Sequence, residues 1–149
     1  MKLEDEIKQK EFKNEYAKSI VNLIYTFNWL DLQTRDFLKR FDITTQQFNI
    51  LRILRGQQPS PATINLLKER MLDKMCDASR MVDRLKVKNL VERQVCEKDR
   101  RAVDIVITKK GLELLAKIDK EMPDHDKIMQ NLSLSEAKQL NQLLDKLRG

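Results

Sequence analysis

The chain has 149 residues and a formal net charge of +6, with 41% apolar and 35% charged residues. This length suffices for one domain with its own hydrophobic core. Because Gly and Pro number only three each, the composition predicts a helix-rich protein with a charged surface. The chain has no apolar run near the roughly 18 residues of a membrane span and no apolar secretory signal at its start. We therefore expect a cytoplasmic protein without membrane contact.

Residues from about Glu4 to Lys39 form one long helical pattern that no Gly or Pro interrupts. Its apolar stripe consists of Tyr16, Ile20, Leu23, Ile24, Phe27 and Leu30. A stripe of this length is too long to be buried against one small domain. We therefore expect the first two turns, with Leu3 and Ile7, to pack on another surface, most simply that of a partner subunit.

Two start signals mark the helices that follow. Thr44 and Gln47 form a capping box, and the helix after them is expected to end around Gly56. Ser60 and Pro61 predict the next helix start, since the missing amide of a proline is harmless in the first turn. That helix would be the first of a helix-turn-helix and would cross the DNA backbone.

A helix and two strands are predicted between Met75 and Thr108. Ala78, Met81, Val82 and Leu85 recur at helical spacing on one face, and we call the helix predicted from about residue 75 to 88 the reading helix. Residues 90–95 read as a short strand. After the charged segment 97–101, Val103, Ile105 and Ile107 alternate with Asp104 and Val106, which predicts a second strand. Thr108 then stands at an N-cap position for another helix.

Helix, strand, basic tip and strand is the order of a winged helix, whose helix fits the DNA major groove and whose tip reaches the minor groove. From Arg70 to Arg101, ten Lys and Arg stand against six Asp and Glu, a net charge of +4. Most of the excess positive charge therefore lies where phosphate contacts are expected. From Lys117 to Gly149 the charges balance at six each, which favours a packing role.

Two helices are expected after the wing. The first begins at Thr108, and Pro123 is expected to kink or break it near Glu121. Ser133 and Glu136 form a second capping box before the last helix, which carries a leucine-rich stripe.

The segments ASRMVDRLKVKNLVER and EKDRRAVDIVITKKG resemble the MarR family of winged helix-turn-helix transcription regulators. The resemblance extends from about Ile20 to Leu147, and its most specific part is the Asp-Arg-Arg wing tip before a Thr-Lys-Lys-Gly helix start. One departure is Asn89, where the family usually has Gly, but both residues tolerate the left-handed conformation. The resemblance implies a two-fold homodimer with interleaved terminal helices on a pseudo-palindromic operator.

The predicted fold is mainly α with a small β-hairpin wing. We expect a single domain over residues 1–149, with dimerisation helices at about 1–40 and 109–149. The winged helix-turn-helix region that binds DNA is expected at about 44–108.

The expected DNA contacts lie on the wing tip and the reading helix. Arg101 is expected to enter the minor groove while Asp99 holds its guanidinium, and the resemblance implies the same roles. Candidates for base contacts in the first half of the helix are Cys76, Asp77, Ser79 and Arg80, and those for phosphate contacts are Lys74, Arg84, Lys88, Lys98 and Arg100. The alternatives are a solvated ion pair at the tip and helix capping by Ser79 or Cys76.

The cysteines and the single histidine carry weaker hypotheses. Cys76, near a helix N-terminus and basic residues, would be redox-active if its pKa were lowered. The alternative for Cys76 and Cys96 is a pair of unreactive thiols. His125 lies beside two aspartates after Pro123, and we expect a surface turn there rather than a metal site.

The family often binds small aromatic effectors, and the residues that would line such a pocket here are Tyr16, Tyr25, Phe27, Trp29 and Phe48. An aromatic stripe at helical spacing is also typical of an ordinary core. Because the sequence shows no catalytic triad, no Gly-rich phosphate loop and no paired catalytic carboxylates, we expect no enzyme, cofactor or metal. We expect a dimeric, sequence-specific DNA-binding repressor released by an effector. The alternative is a winged-helix module that docks on an acidic protein.

Overall fold

The computed structural model describes residues 1–95 and 103–149, apart from the side chain of Asp124. The elements in chain order are α1 (Leu3–Glu6), α2 (Glu15–Lys39), α3 (Thr45–Gln57), β1 (Ala62–Thr63), α4 (Ile64–Arg70), α5 (Ala78–Val87), β2 (Val91–Val95), β3 (Val103–Ile107), α6 (Lys109–Asp126) and α7 (Leu134–Arg148). A short 3₁₀ turn, Lys127–Met129, follows α6. The strands form an antiparallel sheet in the order β1-β3-β2, so the predicted helical fold with a small β wing is confirmed.

The hydrophobic core lies where α3, α4, α5 and α6 meet the sheet. Its fully buried side chains include Leu38, Ile50, Leu51, Leu67, Val82, Leu85, Ile105, Leu115 and Ile118. Because α5 and the sheet share this core, the reading helix and the base of the wing are held as one unit.

The end of α5 follows the sequence prediction closely. Asn89 adopts the left-handed conformation, with φ 58°. Its amide donates to the Lys86 carbonyl at 2.9 Å, and the Leu90 amide donates to the Leu85 carbonyl at 3.0 Å. These paired bonds satisfy the last carbonyls of the helix and turn the chain directly into β2.

The wing strands pair in the predicted order, with Val91 opposite Ile107 and Val95 opposite Val103. The Thr108 hydroxyl then accepts a hydrogen bond from the Gly111 amide at 3.0 Å, which confirms the N-cap of α6. The capping boxes predicted at the starts of α3 and α7 are also formed.

The N-terminal segment is two helices rather than the one predicted from Glu4 to Lys39. The chain turns at Lys8, which has φ 55°, and α2 begins after Asn14. The Asn14 side chain accepts from the Ala17 amide at 2.9 Å. This cap favours a helix start at that point over continuation of an upstream helix.

The short helix α1 folds back along α2. Lys18 Nζ lies 2.5 Å from Glu4 Oε1, and the Tyr25 hydroxyl donates to Glu6 Oε2 at 2.8 Å. Leu3 is buried within this chain. The expectation that Leu3 packs on a partner subunit is therefore wrong.

The predicted start of α4 at Ser60 and Pro61 is also wrong. The cap is Thr63, whose hydroxyl accepts from the Leu66 amide at 3.2 Å. Ala62 and Thr63 extend along β3 instead, with Ala62 opposite Ile105. Pairing with an otherwise free strand edge, which local sequence signals do not encode, delays the helix start.

The helix α6 runs through Pro123 to Asp126 and is not broken near Glu121. Two ion pairs hold the preceding turn in place. Arg55 Nη1 on α3 lies 2.5 Å from Asp119 Oδ2, and Arg40 Nη1 after α2 lies 2.9 Å from Glu121 Oε2. These tertiary contacts offset the loss of the backbone hydrogen bond that proline removes from the helix.

Candidate nucleic-acid interface

The reading helix is α5, and it begins at Ala78, later than predicted. The Asp77 carboxylate accepts from the Arg80 amide at 3.1 Å, so Asp77 is the N-cap. Cys76 and Lys74 precede the helix. The expectation that Cys76 and Asp77 lie inside the first half of the helix is therefore wrong, because the Asp77 side chain bonds a first-turn amide that would otherwise lack a partner.

One face of α5 is buried and the other is in solvent. Ala78, Val82 and Leu85 are fully buried, whereas Arg80 and Arg84 are exposed. A ten-residue helix is about 15 Å long, and its exposed face has the size and charge to enter a major groove. Arg80 and Arg84 thus lie on the solvent-exposed face of α5, and their expected contacts with DNA stay predictions.

Ser79 is part-buried and already has a partner. Arg93 Nη2 on β2 donates to the Ser79 hydroxyl at 3.4 Å. The same Nη2 lies 2.9 Å from Asp83 Oδ1. Arg93 was not singled out from the sequence, because nothing local indicates which helix residues its strand faces.

The loop before α5 presents two large apolar side chains to solvent. Leu72 is 85% exposed and Met75 is 94% exposed. The loop is held to the helix-turn-helix, since the Leu72 amide donates to Asn49 Oδ1 at 2.9 Å and Lys74 Nζ donates to the Glu69 carbonyl at 2.5 Å. Apolar side chains beside a reading helix can contact thymine methyl groups. The sequence analysis missed both, because an apolar residue alone predicts burial.

Lys88, expected at a phosphate, is bonded within the chain. Its Nζ lies 3.0 Å from Asp42 Oδ2 and also donates to the Asp42 main-chain carbonyl. The pair joins the end of α5 to the corner between α2 and α3.

Cys76 has a raised pKa, not the lowered one that the redox hypothesis requires. Burial of the thiol is the larger cause, and the neighbouring carboxylates of Asp73 and Asp77 add to it. Both effects disfavour the thiolate. Cys96 lies outside the described residues.

The wing-tip residues Lys98, Asp99, Arg100 and Arg101 also lie outside the described residues. The flanking strands end at Val95 and begin again at Val103, and these two residues are paired. The expected minor-groove roles of Asp99 and Arg101 therefore stay predictions.

His125 was expected in a surface turn. It lies in α6 instead, where it packs against α2. Its Nε2 lies 3.2 Å from the Thr34 hydroxyl oxygen, and its ring centroid lies 4.9 Å from that of Phe37. Over residues 1–95 and 103–149, leaving out the side chain of Asp124, no group of three or more His, Cys, Asp or Glu side chains is placed to hold a metal ion. In the same ranges, no helix combines the length and apolar character that crossing a bilayer requires.

A cavity of about 740 Å³ lies between the end of α2, the start of α3 and the end of α5, and its lining includes Lys39, Thr45 and Arg84. None of the five aromatic candidates for an effector pocket lines it. Tyr16 and Phe27 are 84% and 66% exposed, while Tyr25, Trp29 and Phe48 are half-buried. The aromatic effector pocket stays a prediction.

The helices α2 and α7 each expose a row of apolar side chains, which we together call the apolar face. It consists of Tyr16, Ile20, Leu23, Ile24 and Phe27 on α2 with Leu134, Leu140, Leu143 and Leu147 on α7. No residue of α7 is buried within the chain. Clustered exposed apolar side chains are typical of surfaces that bind a partner.

Comparison with known proteins agrees with this architecture. Residues 43–103 match the model of the MarR family, whereas the curated proteins contain no match. A MarR-like transcription regulator from Bacillus cereus ATCC 10987 is similar with a TM-score of 0.79 and 21% identity, over 90% of this chain and 96% of that one.

Two further similar structures contain DNA. A mutant MarR from E. coli complexed with operator DNA has a TM-score of 0.77 and 28% identity, over 93% of this chain and 99% of that one. The MepR–DNA complex from S. aureus has a TM-score of 0.71 and 23% identity, over 92% of this chain and 97% of that one.

Proposed function

Since residues 43–103 match the MarR family model and the fold is similar to that of a MarR-like transcription regulator, we propose that the chain is a dimeric, sequence-specific DNA-binding transcription regulator. The observation that carries this proposal is the reading helix. α5 is fixed by its buried face, capped by Asp77 and exposed along the face that holds Arg80 and Arg84. Such a face neutralises phosphates and reaches base edges at once.

The DNA-bound relatives support the same partner. The E. coli MarR whose structure contains operator DNA is 28% identical to this chain, and the match covers 93% of this chain. A chain with that fold and a net charge of +6 has the electrostatic attraction that duplex DNA requires. Lys74, Ser79 and the wing-tip residues Lys98, Asp99, Arg100 and Arg101 remain part of the proposed contact surface.

The proposed dimer rests on the apolar face. Because α7 buries none of its residues within the chain, a second copy that covers this face removes the unfavourable exposure of apolar surface. In a two-fold dimer the two reading helices would lie about 34 Å apart, one turn of DNA, and would read a pseudo-palindromic operator.

We further propose that the protein acts in the cytoplasm as a repressor released by a small effector. The support is the family resemblance and the position of the 740 Å³ cavity beside the end of α5. A ligand releases DNA only if it binds the geometry without DNA more tightly than the DNA-bound one. Screening small molecules for release of a labelled operator would identify that ligand class.

The test is fluorescence anisotropy with a duplex enriched by the protein from a randomised library, against a scrambled duplex, over a series of salt concentrations. Specific binding should be at least ~10³-fold tighter than non-specific binding. Both affinities should fall steeply with salt. Equal and weak binding to both duplexes would contradict the proposal and favour the second candidate, a winged-helix module that docks on an acidic protein.

A further inference from the structure

The end of the reading helix is held by side-chain hydrogen bonds on two sides. Lys88 is the C-cap residue of α5, and its ammonium lies 3.0 Å from Asp42 Oδ2 while also donating to the Asp42 carbonyl. On the other side, Lys110 Nζ from α6 donates to the Lys88 carbonyl at 2.9 Å. The side chain of Lys88 is only 32% exposed.

These contacts act where core packing stops. The apolar side chains that anchor α5 end at Leu85, which is fully buried, whereas Val87 in the last turn is 83% exposed. The direction of the last turn therefore depends on Lys88 and on the Asn89 turn rather than on a buried apolar residue at position 87.

The acceptor side of the pair lies at the corner between α2 and α3, where the Asp42 side chain is 94% exposed. Asp42 follows the end of α2 at Lys39 and has a left-handed backbone, with φ 54°. Both its carboxylate and its carbonyl oxygen accept from the same ammonium. α2 also carries part of the apolar face, so the pair joins the reading helix to the helix proposed to hold the second copy.

We propose that Lys88 is a positioning residue, which holds the end of α5 against the α2–α3 corner and so fixes the angle of the reading helix relative to the dimer. It does this through Asp42 and does not bind a DNA phosphate. This inference rests on the proposed function and goes beyond it by assigning how the two reading helices keep their spacing.

The electrostatics of Asp42 separate this proposal from a phosphate contact. Asp42→Asn removes a negative charge, so long-range attraction alone would leave DNA binding unchanged or tighten it. If the pair positions α5, the same substitution weakens binding. Asn suits the test because it tolerates the left-handed conformation and keeps the main-chain acceptor.

The experiment measures the affinity of Asp42→Asn, Lys88→Met and the double variant for the enriched duplex over a salt series. An exposed ion pair contributes little per copy, so we expect a loss of roughly tenfold for the dimer in each single variant. The double variant should be no weaker than Lys88→Met, since the Asp42 side chain has no ammonium to pair with once Lys88 is replaced. Lys88→Arg, which can keep the pair, should restore affinity close to that of the wild type.

The salt dependence gives a second readout. A lost phosphate contact lowers the slope of log K against log salt by about 0.9 per copy, whereas a positioning role leaves the slope unchanged. Lys120→Met, the same substitution at an exposed lysine of α6, is the matched control and should bind as the wild type does. Circular dichroism will check that each variant is folded. If Lys88→Met does not fold, the affinity of Asp42→Asn decides the test.

Weaker binding by Asp42→Asn with an unchanged slope supports the proposal. Unchanged or tighter binding by Asp42→Asn, or a reduced slope in Lys88→Met, overturns it. Failure of the proposed function would look different, because the wild type itself would then show no preference for the enriched duplex.

Discussion

Arg93 on β2 forms an ion pair with Asp83 on α5, with 2.9 Å between Nη2 and Oδ1. The same nitrogen donates to the Ser79 hydroxyl at 3.4 Å. Since β2 leads to the wing tip and α5 is the proposed reading helix, one side chain connects both parts of the proposed DNA-binding surface.

Replacing Arg93 with Met should lower the free energy of unfolding by about 1 kcal/mol, because the pair is partly screened by solvent. It should also weaken specific DNA binding, since β2 loses the side-chain contacts that Arg93 makes with α5. Urea unfolding measures the first effect and anisotropy the second. Arg93→Lys keeps the charge and should recover part of both, whereas unfolding curves of Arg93→Met that coincide with the wild type would refute the prediction.

Replacing Asp77 with Ala should cost about 1 kcal/mol of stability, because the Arg80 amide loses its cap. Asp77→Ser removes the same charge but can still accept that hydrogen bond, so it should stay near the wild-type stability. Chemical denaturation of both variants separates capping from charge. Equal losses in the two variants would show that the carboxylate acts in some other way.

Replacing Leu143 with Glu should dissociate the proposed dimer, because it places a charge on the apolar face. Light scattering coupled to size-exclusion chromatography measures the mass directly. Lys68→Glu, at an exposed residue of α4 outside this face, should leave the mass unchanged. A monomeric wild type, or a Leu143→Glu variant of unchanged dimer mass, would contradict the proposed interface.

Cys76 should react slowly with iodoacetamide at neutral pH, because burial and two nearby carboxylates raise its pKa. The thiolate is the reactive form, so the rate should rise with pH and should lag behind that of an unstructured cysteine peptide. Mass spectrometry of the peptide that contains Cys76 separates it from Cys96. A rate above that of the free peptide at neutral pH would mean that the pKa is lowered.

The features that the sequence determined by itself are local. The Thr44–Gln47 and Ser133–Glu136 capping boxes, the Thr108 cap and the turn at the left-handed Asn89 each depend on residues three to five positions apart. Such contacts form in almost any context that allows a helix, so pattern alone predicts them. The order of α5 and the two wing strands was likewise predicted from the spacing of apolar residues along the chain.

Other features depend on residues far apart in the chain, and only the tertiary structure decided them. The α4 start moved to Thr63 because Ala62 pairs with Ile105, and α6 continues through Pro123 while Arg55 holds Asp119.

The same holds for the candidate site. From the sequence, Lys88 and Arg84 are equivalent phosphate candidates on one helix, whereas the fold brings Asp42 to Lys88 and leaves Arg84 exposed. A charge pattern gives the number of cations on a helix. Which of these cations is already bonded within the chain depends on the acceptor that packing places within hydrogen-bond distance.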